Sequence, residues 1–298
     1  MSKYLVTGGM GFIGSNLVKR LLDDGHYVSV IDDFSSGRWE NLAPCLKNKN
    51  LRIHNQSILS NFPDEQVDVI FHLAAIPRVQ KSIDDPRVTH LVNVDGTFNV
   101  LLRAREIGAK VIFSSSSSVY GNQKLPFTEE MKPNPISPYA LHKLIGEQYC
   151  KLFSDIFGVK TVSLRYFNVY GKNMDPDSPY ANLIPKFIKM IKNGESPTIN
   201  GDGTQTRDMT SVDDVVEANI LAANSDISGE VINIGGGRNY SVNEVAEMIK
   251  KSFMSNVEIK HGGAILEPHD TLADIKKAEE LLGWMPKINL EDYLNKII

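Results

Sequence analysis

The amino-acid sequence predicts an α/β fold, a doubly wound parallel sheet joined to a smaller and partly discontinuous C-terminal lobe. Short apolar runs typical of strands alternate with amphipathic stretches typical of helices through the first 170 residues. Beyond residue 170 the elements become shorter and are separated by loops rich in Asp, Pro and Gly. We therefore expect a first domain over residues 1–170 and a second lobe over residues 171–298, with some segments of the lobe returning to the first domain.

Composition and charge exclude several classes of protein. The chain has 298 residues and a net charge of −4, which gives no reason to expect binding to nucleic acid. No apolar run approaches the ~20 residues of a membrane helix, and no signal-peptide pattern precedes the first strand. The two cysteines, Cys45 and Cys150, are far apart and form neither metal-binding nor redox spacing. We expect a cytoplasmic protein that needs no metal and no membrane.

The N-terminal segment has the order strand, glycine turn, helix, strand and acid. An apolar run over Lys3–Thr7 leads into a turn whose glycines are Gly8, Gly11 and Gly14. Such glycines permit a tight turn and let the backbone approach a pyrophosphate at the helix N-terminus. Asp32 ends the second strand about 20 residues later, where a carboxylate can accept hydrogen bonds from an adenosine ribose. Because Asp32 would repel a 2′-phosphate, this unit predicts NAD rather than NADP.

A second motif, over residues 137–143, predicts the start of a helix that carries a base. Ser137 can cap the helix, and Pro138 suits its first position. Tyr139 and Lys143 are four residues apart and so share one face of the helix. Tyrosine has a reference pKa of about 10, and action near pH 7 needs a shift of roughly three units, or about 4 kcal/mol. A cation ~4 Å away at an effective dielectric constant of ~20 supplies an energy of that order.

The same spacing occurs once more, between Tyr120 and Lys124. Gly121, Asn122 and Pro126 predict a loop there, in which a separation of four residues brings no side chains together. The position on a helix therefore selects Tyr139 as the candidate base.

Polar groups follow the ends of several predicted strands. The serines of residues 114–118 follow the apolar run over residues 111–113, and Tyr166 ends the strand that begins at Thr161. In doubly wound sheets the ligand crevice lies at the carboxyl ends of the strands. We therefore expect the serines, Tyr139, Tyr166 and the glycine turn to converge at one edge of the sheet.

In chain order these motifs resemble those of the extended short-chain dehydrogenases/reductases, and within them the nucleotide-sugar 4-epimerases. The matching segments cover nearly the whole chain and are residues 7–14, 72–75, 93–97, 114–121, 137–143, 165–168 and 201–208. The resemblance implies a Rossmann-type sheet, tightly held NAD and a UDP-sugar gripped between the lobes. It also implies a homodimer formed through helices beside the sheet.

The resemblance assigns chemical roles to three residues. Tyr139 is the catalytic base, Lys143 holds the nicotinamide ribose and lowers the tyrosine pKa, and Ser116 hydrogen-bonds the sugar hydroxyl. In this chemistry the phenolate takes the proton of the 4-hydroxyl while hydride passes to NAD⁺, and the 4-keto sugar then turns over in the site. Hydride returns to the other face, so no net oxidation occurs and the NAD need not leave. The implied activity is that of an isomerase.

Further positions follow from the same resemblance. The cofactor-binding residues that it implies are Gly8, Gly11, Phe12, Ile13, Gly14, Asp32, Ser57, Ile58, Leu73, Ala74, Ala75, Asn93, Lys143 and Tyr166. The substrate-binding residues that it implies are Ser116, Tyr139, Asn168, Asn182, Leu183, Arg207 and Thr271. Asn168 and Arg207 correspond to positions that hold the diphosphate, and Thr271 to the position beside the 2-substituent of the sugar. Because threonine is small, we expect UDP-GlcNAc and UDP-GalNAc as substrates, with UDP-Glc and UDP-Gal accepted as well or less well.

The sequence departs from the family pattern at two positions. Ser57 stands where the family usually has an acid near the adenine, and Ala264 where it usually has an arginine in the second lobe. A diphosphate would then depend on Arg207, together with Lys172, Arg238 or a histidine.

Three alternative functions stay open at this point. Nucleotide-sugar dehydratases and decarboxylases of the superfamily carry an acid directly after the active-site Ser or Thr, where this chain has Ser117. UDP-glucuronate 4-epimerases share the serine run but differ from residues 165–168. A non-enzymatic NAD-sensing protein on the same fold would be expected to lack the tyrosine, whereas Tyr139 and Lys143 are both present.

Overall fold

The computed structural model describes residues 1–177, 183–263 and 269–297, and strands form its centre. The strands are β1 Lys3–Thr7, β2 Tyr27–Asp32, β3 Leu51–Asn55, β4 Val69–His72, β5 Lys110–Ser116, β6 Thr161–Tyr166, β7 Val169–Tyr170, β8 Thr198–Asn200, β9 Thr206–Asp208, β10 Thr210–Ser211, β11 Glu230–Ile234, β12 Asn239–Ser241 and β13 Lys260–Gly262. Seven of them form one parallel sheet in the order β11, β6, β5, β4, β1, β2, β3. The chain reverses its direction of winding between β1 and β4, which is where such sheets bind ligands.

Helices cover both faces of this sheet, as the sequence predicts. They are α1 Phe12–Asp23, α2 Val79–Asp84, α3 Pro86–His90, α4 Gly96–Ile107, α5 Pro138–Phe157, α6 Leu183–Lys192, α7 Val212–Asn224, α8 Val242–Ser252, α9 Lys276–Leu282 and α10 Leu290–Lys296. Short 3-10 turns cover Trp39–Cys45 and Ser117–Tyr120, and a π-helical turn covers Leu91–Asp95. Within the described residues, no helix combines the length and the apolar character needed to cross a membrane.

The core has one apolar cluster on each face of the sheet. Leu17 of α1 and Val215 of α7 belong to the cluster on one face. Leu101 of α4 and Phe153 of α5 belong to the cluster on the other face. All six residues of β6 are buried, as expected for a parallel strand covered on both sides.

The second lobe has its own core, formed by α6, α8 and α10 around residues such as Phe187 and Val245. Other segments beyond residue 170 return to the sheet. β11 pairs in parallel with β6, and α7 packs against α1. The division at residue 170 stays a prediction.

Two features of the first domain differ from the sequence prediction. β5 continues through the serines to Ser116, because its pairing with β6 extends as far as Tyr166 after the apolar residues have ended. The short helices α2 and α3 were not expected, since neither has a long apolar period. Both differences lie at the sheet edge that carries the site.

Candidate active site

A cavity of about 890 Å³ opens along the carboxyl edge of the sheet. It is lined from below by the glycine turn and the ends of the strands, and from the second lobe by Arg207 and Thr271. The predicted site residues that line it are Gly8, Gly11, Phe12, Ile13, Gly14, Asp32, Ser57, Ile58, Leu73, Ala74, Ala75, Ser116, Tyr139, Lys143, Tyr166, Asn168, Arg207 and Thr271. The structure thus brings together residues from almost the full length of the chain.

The glycine turn is shaped for close backbone approach. Gly8 has φ +71°, and a Cβ there would lie 2.8 Å from the backbone nitrogen of Ala74. A Cβ on Gly14 would lie 2.2 Å from the carbonyl oxygen of Gly8. Gly11 caps α1 without a side-chain hydrogen bond and lines the cavity. The turn therefore fits the pyrophosphate of a dinucleotide at a helix N-terminus.

Asp32 is held rigidly at the end of β2. One carboxylate oxygen accepts the backbone N–H of Met10 and the other that of Phe34, each at 2.9 Å. Burial raises the pKa of Asp32, and these two backbone amides oppose that rise. The nearby cation Arg38 is paired with Asp175, so its charge is compensated. This arrangement fits an adenosine ribose better than a 2′-phosphate.

Local sequence signals place Tyr139 on the first turn of α5. The Ser137 side chain accepts the N–H of Ala140 at 3.2 Å, and Pro138 occupies the first turn as predicted. The Tyr139 hydroxyl lies near the side chain of Ser116 at the end of β5, which lowers the pKa of the phenol. Ser116 also caps the following 3-10 turn. A candidate base and its hydroxyl partner therefore meet where two elements end at the cavity.

The pKa of Tyr139 reflects opposing influences. Burial raises it, whereas the side chain of Ser116 and the positive charge of Arg78 lower it. Arg78 lies at the start of α2 and lines the same cavity. Sequence reasoning missed this residue, and the available signal was its position shortly after the end of β4.

Lys143 lies beneath the tyrosine. Its ammonium donates to the carbonyl oxygen of Ser114 at 2.6 Å and stands 5.9 Å from the centre of the Tyr139 ring. Burial lowers the pKa of Lys143 to about 8, against the opposing effect of Glu147. Its contact with a nicotinamide ribose stays a prediction, and Arg78 is a further cation that acts on Tyr139.

A buried ion pair supports these elements from behind. Both side chains of the pair, Glu147 of α5 and Arg165 of β6, are only 4% exposed. Glu147 also accepts a hydrogen bond from Ser115, next to Ser116. Arg165 lies 4.6 Å from the ring of Tyr120, whose hydroxyl donates to the Asn233 side chain at 2.7 Å. Burial raises the pKa of Tyr120 to about 12, which suits a structural residue and not a base.

The second lobe supplies the opposite wall of the cavity. Asn168 donates to the hydroxyl of Thr271 at 3.1 Å, and the backbone N–H of Asp208 donates to the same hydroxyl at 3.0 Å. Arg207 donates to the carbonyl oxygens of Thr206 and His269. Thr271 is buried with its hydroxyl engaged by protein groups, so its small size is what it contributes to the cavity.

Some predicted site residues lie elsewhere. Asn93 does not line the cavity, because its side-chain amide is committed to both backbone groups of Ile76. Leu183 begins α6 and packs against the core of the second lobe. Asn182 and Ala264 lie outside the described residues. The Asn93 side chain thus shapes the loop after β4, and its contact with the cofactor stays a prediction.

The other cations considered for the diphosphate are also placed away from the cavity. Lys172 lines a separate groove beside α6, and the Arg238 guanidinium lies 4.7 Å from the ring of Tyr240. Gly235 and Gly236 pack against Asp208, whose carboxylate accepts the N–H of Gly236. These glycines therefore form a structural turn.

Comparison with known proteins identifies the family. Residues 4–235 match the model of the NAD-dependent epimerase/dehydratase family. The chain is 39% identical to a putative UDP-glucose 4-epimerase of Methanocaldococcus jannaschii, over 99% of this chain and 96% of that protein. It is 35% identical to UDP-glucuronic acid decarboxylase 1 of Xenopus tropicalis, over 99% of this chain and 71% of that protein.

A solved structure supports the same assignment. The UDP-N-acetylglucosamine 4-epimerase of Methanobrevibacter ruminantium M1, in complex with UDP-N-acetylmuramic acid, superposes with a TM-score of 0.94 at 39% identity. The alignment covers 99% of this chain and 96% of that one. The motifs, the fold and the cavity agree with this result, and the dinucleotide expected from the glycine turn is NAD. The chain belongs to the NAD-dependent epimerase/dehydratase family, among the nucleotide-sugar epimerases of the extended short-chain dehydrogenases/reductases.

Proposed function

We propose that the protein is a UDP-sugar 4-epimerase that interconverts UDP-GlcNAc and UDP-GalNAc and also accepts UDP-Glc and UDP-Gal. The observation that carries this proposal is the pairing of Tyr139 with Ser116 in a cavity that also contains the dinucleotide turn. The pair can bind a sugar hydroxyl and remove its proton at the end of the sheet where the nicotinamide is expected.

Each polar group of the reacting end has a defined task in this proposal. Ser116 orients the 4-hydroxyl, and Tyr139 as phenolate takes its proton. Bound NAD supplies the acceptor, and afterwards the donor, of the hydride at C4. The Lys143 ammonium is held beneath the Tyr139 ring by its hydrogen bond to the carbonyl oxygen of Ser114, and it adds positive charge there. When the ketone is reduced on its other face, Tyr139 returns the proton to the oxygen at C4.

The distribution of acids favours epimerisation over dehydration or decarboxylation. Within the described residues, the carboxylates that line the cavity are Asp32 and Asp33, both at the end of β2. The reacting end, around Tyr139 and Ser116, has serines where a dehydratase or decarboxylase would be expected to have an acid. The decarboxylase relative covers this chain almost completely, but the carboxylate that we expect for that chemistry is missing among these residues.

Thr271 supports the choice of sugar. It lies in the cavity wall beside Asn168 and is small enough to leave room for an N-acetyl group. A small residue admits the larger substituent without excluding a hydroxyl, so plain hexoses should also enter. The relative from Methanobrevibacter is named as an epimerase of UDP-N-acetylglucosamine, which agrees with this proposal.

The test is a panel of UDP-sugars assayed with wild type, Thr271→Tyr and the size-matched control Thr271→Ser. Thr271→Tyr should lower kcat/KM for the N-acetylated pair far more than for UDP-Glc and UDP-Gal, because the phenol would fill the space of the acetyl group. Thr271→Ser should resemble wild type on both pairs. Equal losses on both pairs, or a wild type inactive on UDP-GlcNAc, would contradict this view of the pocket.

We also propose that the protein is a cytoplasmic homodimer. Large apolar side chains are exposed on the outer faces of α4 and α5, among them Leu102, Leu141, Leu152 and Ile156. Such a surface suits a helix-to-helix interface. Ile156→Glu should convert the dimer into a monomer in light scattering, and a monomeric wild type would contradict the proposal. The cysteines of the chain are free and buried, which agrees with a reducing compartment.

A further inference from the structure

Arg78 is a charged residue of the cavity to which the proposed mechanism gives no task. It precedes α2, a short helix at the carboxyl edge of the sheet, and lines the cavity together with Tyr139 and Ser116. Its side chain is partly buried, and burial lowers the pKa of the guanidinium from its ordinary value. An arginine keeps its charge under such conditions, so this part of the cavity holds a permanent cation.

A hydrogen bond joins the two helix starts that carry this cation and the base. The backbone N–H of Tyr139 donates to the hydroxyl of Ser82 in α2 at 3.0 Å. The same hydroxyl donates to the carbonyl oxygen of Val79 at 2.6 Å, and Ser82 is fully buried. The first turn of α2 is thereby tied to the first turn of α5. Since Arg78 directly precedes Val79, the guanidinium and the phenol are carried by two helix starts that are joined to each other.

Arg78 acts on Tyr139 together with Lys143, whose ammonium lies 5.9 Å from the centre of the ring. Lys143, from α5 itself, points its ammonium at the carbonyl oxygen of Ser114. Glu147, one turn further along α5, is neutralised by Arg165 of β6. Asp175, from the second lobe, acts on Arg78.

A histidine pair lies near the same end of α5. His142 of α5 is buried 5.3 Å from His90 of α3, measured between ring centres. Burial lowers the pKa of His142, with further lowering by the charges of His90 and Lys143. His142 is therefore neutral when the base works, and it adds no positive charge at Tyr139.

We propose that Arg78 is a positioning residue of the proton transfer, whose guanidinium stabilises the phenolate form of Tyr139. This inference rests on the proposed function for its catalytic consequence. In the step itself, the O–H bond of the sugar 4-hydroxyl breaks and the phenolate oxygen of Tyr139 takes the proton. Arg78 exchanges no proton and acts through its charge, so a lysine at this position should replace it in part.

The test compares Arg78→Met and Arg78→Lys with the control Arg87→Met, which removes an exposed arginine of α3 that does not line the cavity. The first readout is the tyrosinate absorbance of the NAD-loaded enzyme against pH, with the signal of Tyr139→Phe subtracted. Arg78→Met should raise the pKa of Tyr139 by about one unit, as loss of a neighbouring cation does. Arg78→Lys should restore part of the shift, and Arg87→Met should leave the pKa unchanged.

The second readout is kcat/KM for UDP-GlcNAc against pH. A higher pKa means that the phenolate is lost at a higher pH, so the acidic limb of Arg78→Met should move up by the same amount. At a pH below the limbs of both proteins, kcat/KM of Arg78→Met should be about tenfold lower than that of wild type if the Tyr139 pKa has shifted by one unit. In Arg78→Met the Tyr139 pKa should rise, while the KM measured at a pH above the acidic limb should stay near that of wild type.

Two outcomes would overturn the inference. One is an unchanged Tyr139 pKa in folded Arg78→Met, or in Arg78→Lys and Arg78→Gln if the methionine variant does not fold. The other is a kcat/KM profile whose acidic limb does not move, together with a loss of activity on UDP-glucuronate alone. That result would make Arg78 a carboxylate-binding residue. If wild type turns over no UDP-sugar, the proposed function fails, whereas the absorbance titration still decides the role of Arg78.

Discussion

Replacing Glu147 by glutamine should destabilise the protein strongly and disturb the site above it. In wild type, the carboxylate accepts two hydrogen bonds from Arg165, at 2.8 and 2.7 Å, and a third from Ser115. Both members of the ion pair are 4% exposed, so water cannot take over when one of them is changed. Glutamine would remove the negative charge and turn an N–H₂ group toward the guanidinium or toward Ser115.

The magnitude follows from the cost of leaving a buried charge without its partner. Breaking a buried pair on one side costs roughly 3–5 kcal/mol, whereas replacing both partners by apolar groups is often nearly neutral. For a chain of this length, that loss corresponds to a fall in Tm of roughly 6–10 °C. Since Glu147 also holds Ser115, beside Ser116, kcat should fall in the same variant at temperatures where it is folded.

The assay is thermal unfolding of the NAD-loaded protein at neutral pH, with two matched variants. Lys151→Gln, on the same helix, removes the exposed partner of Asp155 and should change Tm little, because exposed pairs contribute at most about 1 kcal/mol. The double replacement of Glu147 and Arg165 by methionine should be more stable than Glu147→Gln alone. A Tm of Glu147→Gln within the error of wild type would refute the reasoning.

Three further predictions concern the base, the diphosphate and acid stability. Tyr139→Phe should lower kcat by roughly 10²–10⁴-fold while NAD stays bound, whereas Tyr120→Phe should have a mild effect, and equal effects would contradict the assignment. Arg207→Ala should raise the Kd of the UDP-sugar more than about tenfold, in line with a loss of 2–5 kcal/mol for a desolvated charged pair; a calorimetric change below about threefold would mean that another group holds the diphosphate. Burial lowers the pKa of His72 to about 3 from about 6.5. Neutral His72 therefore favours the folded state above pH ~6.5, and this contribution is lost as the pH falls toward ~3. In this range the free energy of unfolding, measured with urea, should fall by up to ~1.4 kcal/mol per pH unit, and His72→Gln should lack this slope.

The parts of the site that depend on local signals could be predicted from the sequence. The glycine turn and the first turn of α5 are set by residues that act on their own backbone, Gly8 through its positive φ and Ser137 and Pro138 through capping. Their meeting at one edge follows from the alternation of strands and helices. Tyr139 and the serine run over residues 114–118 were predicted for this reason, whereas the family resemblance selected Ser116.

The parts that depend on tertiary placement could not be predicted in this way. Asn93 has the residue type and position of a cofactor ligand. Its side-chain amide is nevertheless hydrogen-bonded to the backbone of Ile76, which lies 17 residues away in sequence. Arg78 precedes a helix too short to have a clear apolar period, so its position after β4 was the one sequence signal that it could line the cavity. Lys143 has the right spacing, but the carbonyl oxygen of Ser114 decides where its ammonium points.

The central claim is that the 4-position of the sugar is oxidised and then reduced by the same resident cofactor. The most direct test is to incubate the purified protein, without added NAD, with UDP-GlcNAc carrying deuterium at C4, and to analyse the products by chromatography and mass spectrometry. We expect UDP-GalNAc that retains the deuterium, in equilibrium with the starting sugar, since the hydride never exchanges with solvent. Loss of the deuterium to water, or the absence of any epimer from each of the UDP-hexoses, would contradict it.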